Sequence, residues 1–521
     1  MFSTLIKYKF SKLKFAPLSL FIFSILITHA SEAQVAQGNR LEFSLGELDT
    51  SFEVVNAEEK GIFLYRQFVL PDNSLELIYI DTAFQLKWRG AIRLEKNLSV
   101  VRTKFFNTSL YVLLRFRDYS RNDLFMLIID ADKSTYTIEE FRNYIPMQIT
   151  TFDMTQRAAL VGGYFNRIPI VLYLSLADKK SKVAPGLFTE TGELTQVRTY
   201  DDGSFDVLVS ARNLQRQQTV YIRNYDQEGT LVNKIPLEPE RNKNFTFGRS
   251  IKTHNGNQVV AGTYGNRNSE YSKGIYIASI DPLGSQQIQY YSYGDLQNFF
   301  KYMKSRREQR VKNRIERRKA KGLKIRLNYR LMVHELVPYQ NQFILLGEAF
   351  YPRYIYSDRS FFGGFYQYNY SYAPYSRIQN GRIFDGYNYT HAIVIGFNAK
   401  GKLLWDNSFE INDVKTFEME QFVKLDDQQQ QLAMIYLYNH QLRTKIIRDN
   451  NVLEGKTMEP IKLNSDTDFV RKGDTEKSKL EYWYEHNFYA YGVQKISNTR
   501  QNRSELKRKV FFINRIKIAD P

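Results

Sequence analysis

The sequence predicts an all-β repeat fold, and three observations support this prediction. Phe and Tyr, with 37 of each, suit strands better than helices. The 521 residues exceed one compact layered core, yet no Pro/Gly-rich linker divides them into separate domains. Acidic residues that open turns recur at steps of 49, 48 and 48, at Asp81, Asp130, Asp178 and Asp226. A large repetitive β-structure satisfies all three.

Each repeat consists of an alternating strand, a short turn, a second strand, and an Asp or Asn that opens the next turn. The clearest strand pairs are 110–115 with 124–130, 158–162 with 170–174, 205–209 with 220–222, and 259–262 with 274–281. Later markers are less regular and fall at Asp281, Asn398, Asp449 and Asn514. A hairpin with flanking strands in about 49 residues matches a four-stranded blade, so we expect a β-propeller of about eight blades. A seven-bladed ring is the alternative.

The two ends of the chain are predicted to close this ring. The last unit contains only three strands, at 480–484, 488–495 and 509–518. The segment Leu41 to Leu48 can supply the fourth, which would remove sheet edges that otherwise pair with other chains. Residues 41–521 are therefore expected to form a single propeller domain.

The N-terminus has the pattern of a signal peptide over residues 1–33. Four lysines precede an apolar run from Leu18 to Ile27, and Ser31-Glu32-Ala33 follows as a small-x-small cleavage site. The apolar run is too short for a membrane helix, so no transmembrane span is expected after cleavage. The protein is predicted to be exported, and to be periplasmic or associated with the outer membrane or cell surface. The chain has no cysteine, so disulfides cannot stabilise it.

The net charge of +18 is concentrated in one segment, since residues 301–326 hold 13 Lys and Arg against two Glu. Residues 294–326 are expected to form a basic helical insertion between the fifth and sixth units. Leu296, Phe299, Phe300 and Met303 have helical spacing and are expected to pack on the propeller, with the second half projecting into solvent. The candidate binding residues are Arg306, Arg307, Arg310, Arg314, Arg317 and Arg318.

The basic insertion suggests an anionic surface, such as a lipid head group or polysaccharide, or an envelope protein as partner. Nucleic acid is an unlikely partner because export removes the usual opportunity. The alternative interpretation is a solvated insertion that only covers one face of the ring.

A second insertion, residues 350–389 in the sixth unit, contains 15 Phe and Tyr. Amphipathic rings of this kind suit glycan stacking or a protein interface. The candidate contact residues are Tyr366, Tyr368, Tyr370 and Tyr372. The alternative is a long hairpin that lies back on the propeller and buries half of its rings.

No catalytic, metal-binding or cofactor-binding motif is present in the sequence. The nearest constellation is His334, Glu348, Asp385 and His391 in the sixth unit, where an antiparallel ladder is expected to bring Glu348 beside His391. These side chains predict either a polar cluster capable of acid/base or metal chemistry, or structural hydrogen bonds that orient the long loop.

The last 190 residues or so resemble a family of uncharacterised exported β-propeller-like proteins of Bacteroidetes-type bacteria. The resemblance rests on His334 and on the segments 347–352, 384–387, 391–392, 403–407, 482–484 and 509–514. It implies a periplasmic or cell-surface setting and transfers no functional residue.

Two functions follow as hypotheses. The preferred one is a non-enzymatic binding or scaffolding propeller of the bacterial envelope. The alternative is a carbohydrate-binding or carbohydrate-active propeller that uses the aromatic loop, with Glu348 and Asp385 as acid/base candidates.

Overall fold

Eight antiparallel sheets form the blades of a β-propeller. The computed structural model describes residues 35–187, 191–253, 255–266, 271–325, 327–356, 382–428, 431–471, 478–498 and 506–518. The predicted signal peptide and the four candidate tyrosines, Tyr366, Tyr368, Tyr370 and Tyr372, lie outside the described residues. The prediction of eight blades is confirmed, and the seven-bladed alternative is wrong.

The strands follow one another along the chain. After β1 (Val35–Leu45), blade 1 consists of β2 (Glu53–Asn56), β3 (Ile62–Phe68), β4 (Ser74–Ile80) and β5 (Leu86–Arg93), and blade 2 of β6 (Leu98–Phe106), β7 (Ser109–Phe116), β8 (Leu124–Asp130) and β9 (Tyr136–Phe141). Blade 3 consists of β10 (Gln148–Met154), β11 (Ala158–Phe165), β12 (Ile168–Ser175) and β13 (Ser181–Val183). Blade 4 consists of β14 (Gly192–Thr199), β15 (Phe205–Arg212), β16 (Gln218–Tyr225) and β17 (Leu231–Pro236). A 3-10 turn spans Glu58–Lys60.

The second half of the ring carries the irregular segments. Blade 5 consists of β18 (Asn244–Lys252), β19 (Gln258–Gly265), β20 (Ser272–Ile280) and β21 (Gln286–Ser292). Blade 6 consists of β22 (Arg330–Tyr339), β23 (Gln342–Tyr356), β24 (Arg382–Phe397) and β25 (Leu403–Glu410), with the short strand β26 (Lys415–Thr416) beside β24. Blade 7 consists of β27 (Lys424–Gln428), β28 (Gln431–Tyr438), β29 (Gln441–Arg448) and β30 (Asn451–Pro460). Blade 8 combines β31 (Asp468–Val470), β32 (Ser478–Tyr482), β33 (Asn487–Asn498), β34 (Leu506–Ile518) and β1. Helix α1 (Ser305–Ala320) lies between blades 5 and 6.

The middle strands of each blade are largely buried because neighbouring blades cover both of their faces. Strand β19 is buried at all eight positions, whereas the outer strand β30 is mostly exposed. First strands contact the first strands of adjacent blades, as β6 does with β2 and β10, and therefore line the centre of the ring. Within the described residues, eight hydrophobic clusters form, one at each interface between blades. Burial of each large side chain in them stabilises the fold by about 1.5–3 kcal/mol.

The repeating Asp and Asn residues organise the turns between third and fourth strands. Asp226 Oδ1 accepts hydrogen bonds from the backbone N–H groups of Glu228 (2.9 Å) and Thr230 (2.8 Å), and Gly229 has a φ of 72°. Asp281 and Asn398 form the same turn with Gly284 and Gly401. These three turns confirm the sequence-based assignment.

The last marker, Asn514, is wrongly assigned to a turn. It lies in the middle of β34, fully buried, and its side-chain amide donates to the carbonyl of Lys462 at 2.9 Å. No chain connection follows β34 into a fourth strand, since that strand is β1 from the other end of the chain. A turn residue is therefore not needed at this position.

Strand β1 closes the ring by pairing antiparallel with β34, from Val35 opposite Ile518 to Leu45 opposite Lys509. The predicted closing segment was 41–48; the strand instead begins at Val35 and ends at Leu45. It ends there because Gly46 and Asp49 form a turn in which the Gly46 N–H donates to Asp49 Oδ2 at 2.8 Å. The N-terminal segment thus supplies the fourth strand of blade 8.

The basic insertion differs from its prediction in two respects. The helix spans only Ser305–Ala320, and the residues from Gly294 to Lys304 form turns instead. Leu296, Phe299 and Phe300 are nevertheless buried, as predicted. The helix does not project into solvent, since Ile315 is buried in the cluster between blades 5 and 6. Its arginines occupy the opposite side.

The direction of the strands separates the connections into two faces. Because strands alternate in direction, the turns between third and fourth strands lie on one face of the ring. Connections between second and third strands, and between successive blades, lie on the other, which we call the insertion face. Helix α1 and the long β23–β24 hairpin both belong to the insertion face. In the part of the chain that the structure describes, no helix is long and apolar enough to cross a membrane.

A disulfide across the closing pair tests the ring. In an Ala36→Cys/Lys517→Cys variant, the two thiols would face each other in the β1–β34 register. Closing a loop of several hundred residues should stabilise the oxidised protein by about 6 kcal/mol in the chain-entropy limit. Urea unfolding under oxidising and reducing conditions measures this difference.

An Arg212→Cys/Gln218→Cys variant is the control, because these positions pair within one hairpin. Its short loop should add only about 2 kcal/mol. Equal gains for both cross-links, or failure of the closing disulfide to form, would show that β1 does not close the ring.

Candidate functional site

Three non-repeating segments meet on the insertion face around blade 6. They are the connection from blade 5 that leads into α1, the stem of the β23–β24 hairpin, and the connection from β25 to β27. The predicted aromatic loop 350–389 is partly strand, since Phe350 pairs with Tyr389 and Tyr356 with Arg382. Its described ends are therefore paired strands of one hairpin, and the rest of the predicted loop, residues 357–381, lies outside the described residues.

Hydrogen bonds fix the segment that precedes α1 to blade 6. Both carboxylate oxygens of Asp406 accept backbone N–H groups, from Gln297 at 2.8 Å and from Asn298 at 2.7 Å. The Asn298 amide donates to the Asp406 carbonyl at 2.7 Å. Phe299 and Phe300 are buried beside this clamp. The position of the helix start is thereby determined by the propeller.

A cavity of about 580 Å³ lies between the three segments. This volume is within the range typical of small-molecule sites, ~300–1,000 Å³. The lining residues are Tyr302, Met303, Lys304, Arg307, Tyr351, Arg353, Asn388, Tyr389, Thr390, Glu410, Ile411, Asn412, Asp413, Val414 and Lys415. We call it the first cavity.

The lining of the first cavity has more positive than negative charge. Arg353 and Lys415 both pair with Asp385, at 3.1 Å and 2.6 Å. Lys304 and Arg307, at the start of α1, have no carboxylate within ion-pair distance among the described residues, and both are exposed. These two cations are available to a ligand.

The predicted polar quartet does not form one cluster. Glu348 is opposite Ala392 in the ladder, and His391 is opposite Ala349, so Glu348 and His391 point to opposite faces of the sheet. The expectation that the ladder places them side by side is wrong by one residue. Asp385 lies farther along the hairpin in its own ion pairs. No group of three or more metal-binding side chains occurs within the described residues.

Glu348 is a structural anchor between blades 6 and 7. Its side chain is fully buried, and Oε1 accepts the N–H groups of Phe422 at 3.0 Å and Val423 at 2.6 Å. His334 Nε2 lies 3.0 Å from the other carboxylate oxygen. These bonds occupy both oxygens of Glu348, which has no exposed surface to offer a ligand.

His391 supports the wall of the first cavity. Its ring stacks on Tyr302 with centroids 3.8 Å apart, and Phe299 contacts it edge-on at 4.8 Å. Thr390 Oγ1 donates to the Ala349 carbonyl, so His391 Nδ1 donates to Thr390 Oγ1 at 2.9 Å. Nε2 then has no hydrogen-bond partner in the described part of the chain. Burial lowers the pKa of His391 to about 3, so the imidazole is neutral and holds Tyr302 in place.

The predicted arginines lie where the helix faces solvent. Arg306, Arg307, Arg310, Arg314 and Arg317 are exposed, and the half-buried Arg318 donates to the Lys324 carbonyl at 2.9 Å. Of these six, only Arg307 lines the first cavity. Sequence reasoning missed Tyr302, Arg353 and Lys415, which come from three separate segments without a shared motif. Lys304 lies in the basic insertion, and nothing in the sequence distinguished it from the other cations there.

The chain is similar to several proteins of known structure. No family model matches the sequence, and comparison with curated proteins finds no match. The structure is similar to the polysaccharide lyase Uly1, with 9% identity over 90% of this chain and 100% of that one and a TM-score of 0.39. It is also similar to the β-propeller domain of the Trilobed protease from Pyrococcus furiosus, with 8% identity, 79% and 98% coverage and a TM-score of 0.36. The Dos1 propeller is a third similar structure, with 8% identity over 80% of this chain and 90% of that one and a TM-score of 0.37.

Replacement of Glu348 should be far more costly than replacement of Asp385. Glu348→Ala leaves the buried N–H of Val423 and the half-buried N–H of Phe422 without an acceptor, and we expect a loss of about 3 kcal/mol in the free energy of unfolding. Asp385→Ala removes ion pairs with two substantially exposed cations and should cost at most about 1 kcal/mol. Urea unfolding measures both. Comparable losses would contradict the anchoring role of Glu348.

His391 should make stability depend on pH. Its pKa is lower in the folded protein than the ordinary 6.5, so the unfolded chain binds a proton that the folded chain does not. Stability is therefore lost as pH falls from about 6.5 towards about 3. His391→Phe keeps an aromatic ring against Tyr302 and removes the titration.

From pH 7 to pH 5, the free energy of unfolding of His391→Phe should improve relative to wild type by about 2 kcal/mol. Urea unfolding of both proteins at the two pH values gives this difference, in which the contributions of the other titrating groups cancel. A difference that does not change with pH would rule out a buried neutral His391.

Proposed function

We propose that this protein is a non-enzymatic binding propeller whose insertion face binds an acidic polysaccharide of the bacterial envelope. In the first cavity, Lys304 and Arg307 have no carboxylate partner among the described residues, and both lie beside the aromatic ring of Tyr302. Cations bind carboxylate or sulfate groups, and amphipathic rings pack against sugar faces. The arginines on the outer side of α1 extend the positive surface beyond the cavity.

Binding is favoured over hydrolysis because the two acid/base candidates are engaged elsewhere. Glu348 is fully buried and holds the backbone of blade 7, so it cannot reach a glycosidic bond. Asp385 pairs with Arg353 through Oδ2 at 3.1 Å and with Lys415 through Oδ1 at 2.6 Å, so both of its carboxylate oxygens are already engaged. Neither residue is placed to act as a general acid on a sugar in the first cavity.

A polysaccharide is favoured over a flat lipid surface because the cationic groups converge in a concave site. A membrane would contact the outer arginines of α1 without filling the first cavity. The predicted export of the protein supports an envelope setting, which is part of this proposal.

Binding to polygalacturonate, an acidic polymer, should depend on the first cavity. Lys304→Ala/Arg307→Ala should weaken the affinity by tenfold or more per side chain, because each removes a charge-assisted hydrogen bond of about 1.5–3 kcal/mol. The control is Lys400→Ala/Lys402→Ala, which removes the same charge from an exposed turn on the opposite face of blade 6. Isothermal titration calorimetry measures the affinity, with neutral dextran and anionic lipid vesicles as comparison ligands.

Wild type should bind polygalacturonate more weakly at higher salt and should not bind dextran. Equal loss in both double variants would indicate non-specific charge attraction and contradict the proposal. Tight binding to vesicles without binding to polygalacturonate would assign the face to a membrane instead.

A further inference from the structure

A second cavity of about 290 Å³ lies on the insertion face next to the first, one blade further around the ring. It is bordered by the connection from β25 to β27, by the turn between β28 and β29, and by β32 at the start of blade 8. Lys415 lines both cavities. The two therefore share a wall, which we call the Lys415 ridge and which consists of residues 412–416.

Hydrogen bonds from blades 6 and 7 hold the Lys415 ridge in place. The Tyr389 N–H donates to the Val414 carbonyl at 3.1 Å, and the Lys415 N–H donates to the Tyr438 hydroxyl at 3.2 Å. Arg443 donates to the Asn412 carbonyl at 2.9 Å. The ridge also pairs with the hairpin stem, where Lys415 is opposite Asn388. Both cavities are thus formed before any ligand arrives, which lowers the entropic cost of binding.

The ammonium group on the ridge can serve both cavities. Lys415 Nζ lies 2.6 Å from Asp385, but an ammonium has three protons and this contact uses one. Its side chain is 37% exposed. A negatively charged group that crosses the ridge would meet the remaining protons.

The second cavity has the chemistry of a sugar site rather than of a strong anion site. Lys424 pairs with Glu481 at 2.6 Å, and Lys479 lies 3.8 Å from Glu420, so most of its charge is compensated within the cavity. Tyr438 adds an aromatic ring with a hydroxyl. Hydroxyl groups of a neutral or weakly acidic sugar unit could bond to these alternating donors and acceptors.

We infer that the ligand is a linear acidic polymer that occupies both cavities at once and crosses the Lys415 ridge. This inference rests on the proposed function and adds to it the length and the path of the ligand. Its first unit lies in the cationic first cavity, and a later unit lies in the second. Because both units belong to one chain, the second contact is intramolecular and raises the affinity without a new partner.

A length series of oligogalacturonates, from one to eight units, tests the path. Calorimetry should show weak binding of short oligomers and a further rise in affinity of at least tenfold once an oligomer spans both cavities. Arg307→Ala should weaken binding at every length. Lys479→Ala should weaken only the long oligomers, because Lys479 lies in the second cavity alone. Lys400→Ala, on the opposite face, is the control.

The outcomes separate this inference from the proposed function. If short and long oligomers bind equally and Lys479→Ala has no effect, the first cavity is the whole site and the inference is wrong. If Lys479→Ala weakens every length equally, the assignment of the second cavity to a later unit is wrong. If no oligomer binds to wild type, the proposed function itself is contradicted.

Discussion

The pairing of β1 with β34 closes the ring of blades, and the packing of blade 8 against both of its neighbours requires it. It joins residues from opposite ends of the chain, with Phe43 opposite Phe511. Arg40 secures the pair from the outer strand, with bonds to Gln494 at 2.7 Å and Asn514 at 3.0 Å. An unpaired β34 would leave an open sheet edge and weaken the two interfaces that blade 8 makes with its neighbours. In a chain without cysteine, closure of the ring takes the place of a covalent cross-link.

The closed ring allows one of its faces to vary. The turns between third and fourth strands occupy one face, and those at Asp226, Asp281 and Asn398 have the same hydrogen bonds. The insertion face carries α1, the β23–β24 hairpin and the Lys415 ridge, each tied to a blade by specific bonds. Asp406 holds the segment before α1, and Tyr389 and Tyr438 hold the ridge. Segments distant in sequence therefore form a cavity with fixed walls.

The ionisable groups of blade 6 divide into two kinds according to their surroundings. Glu348 and His391 are buried, and their surroundings keep each in one role: Glu348 accepts backbone hydrogen bonds, and neutral His391 supports Tyr302. Lys304 and Arg307 are exposed at the cavity edge and have no carboxylate partner in the described structure. Binding at this face therefore depends on surface cations, whereas the buried groups maintain the shape of the site.

The blade repeat, the turns at Asp226, Asp281 and Asn398, and the burial of Phe299 and Phe300 could all be predicted from the sequence, because they follow from local periodicity and turn chemistry. Features that depend on pairing between distant segments could not. Asn514 shows this, since its turn signal was overridden when β1 became its neighbour. His391 is a second example. A β-bulge at Ala349/Phe350 shifts the register of the β23–β24 ladder by one residue, and a shift of one residue moves a side chain to the other face of the sheet. The first cavity, built from three separate connections, has no counterpart in any single stretch of sequence.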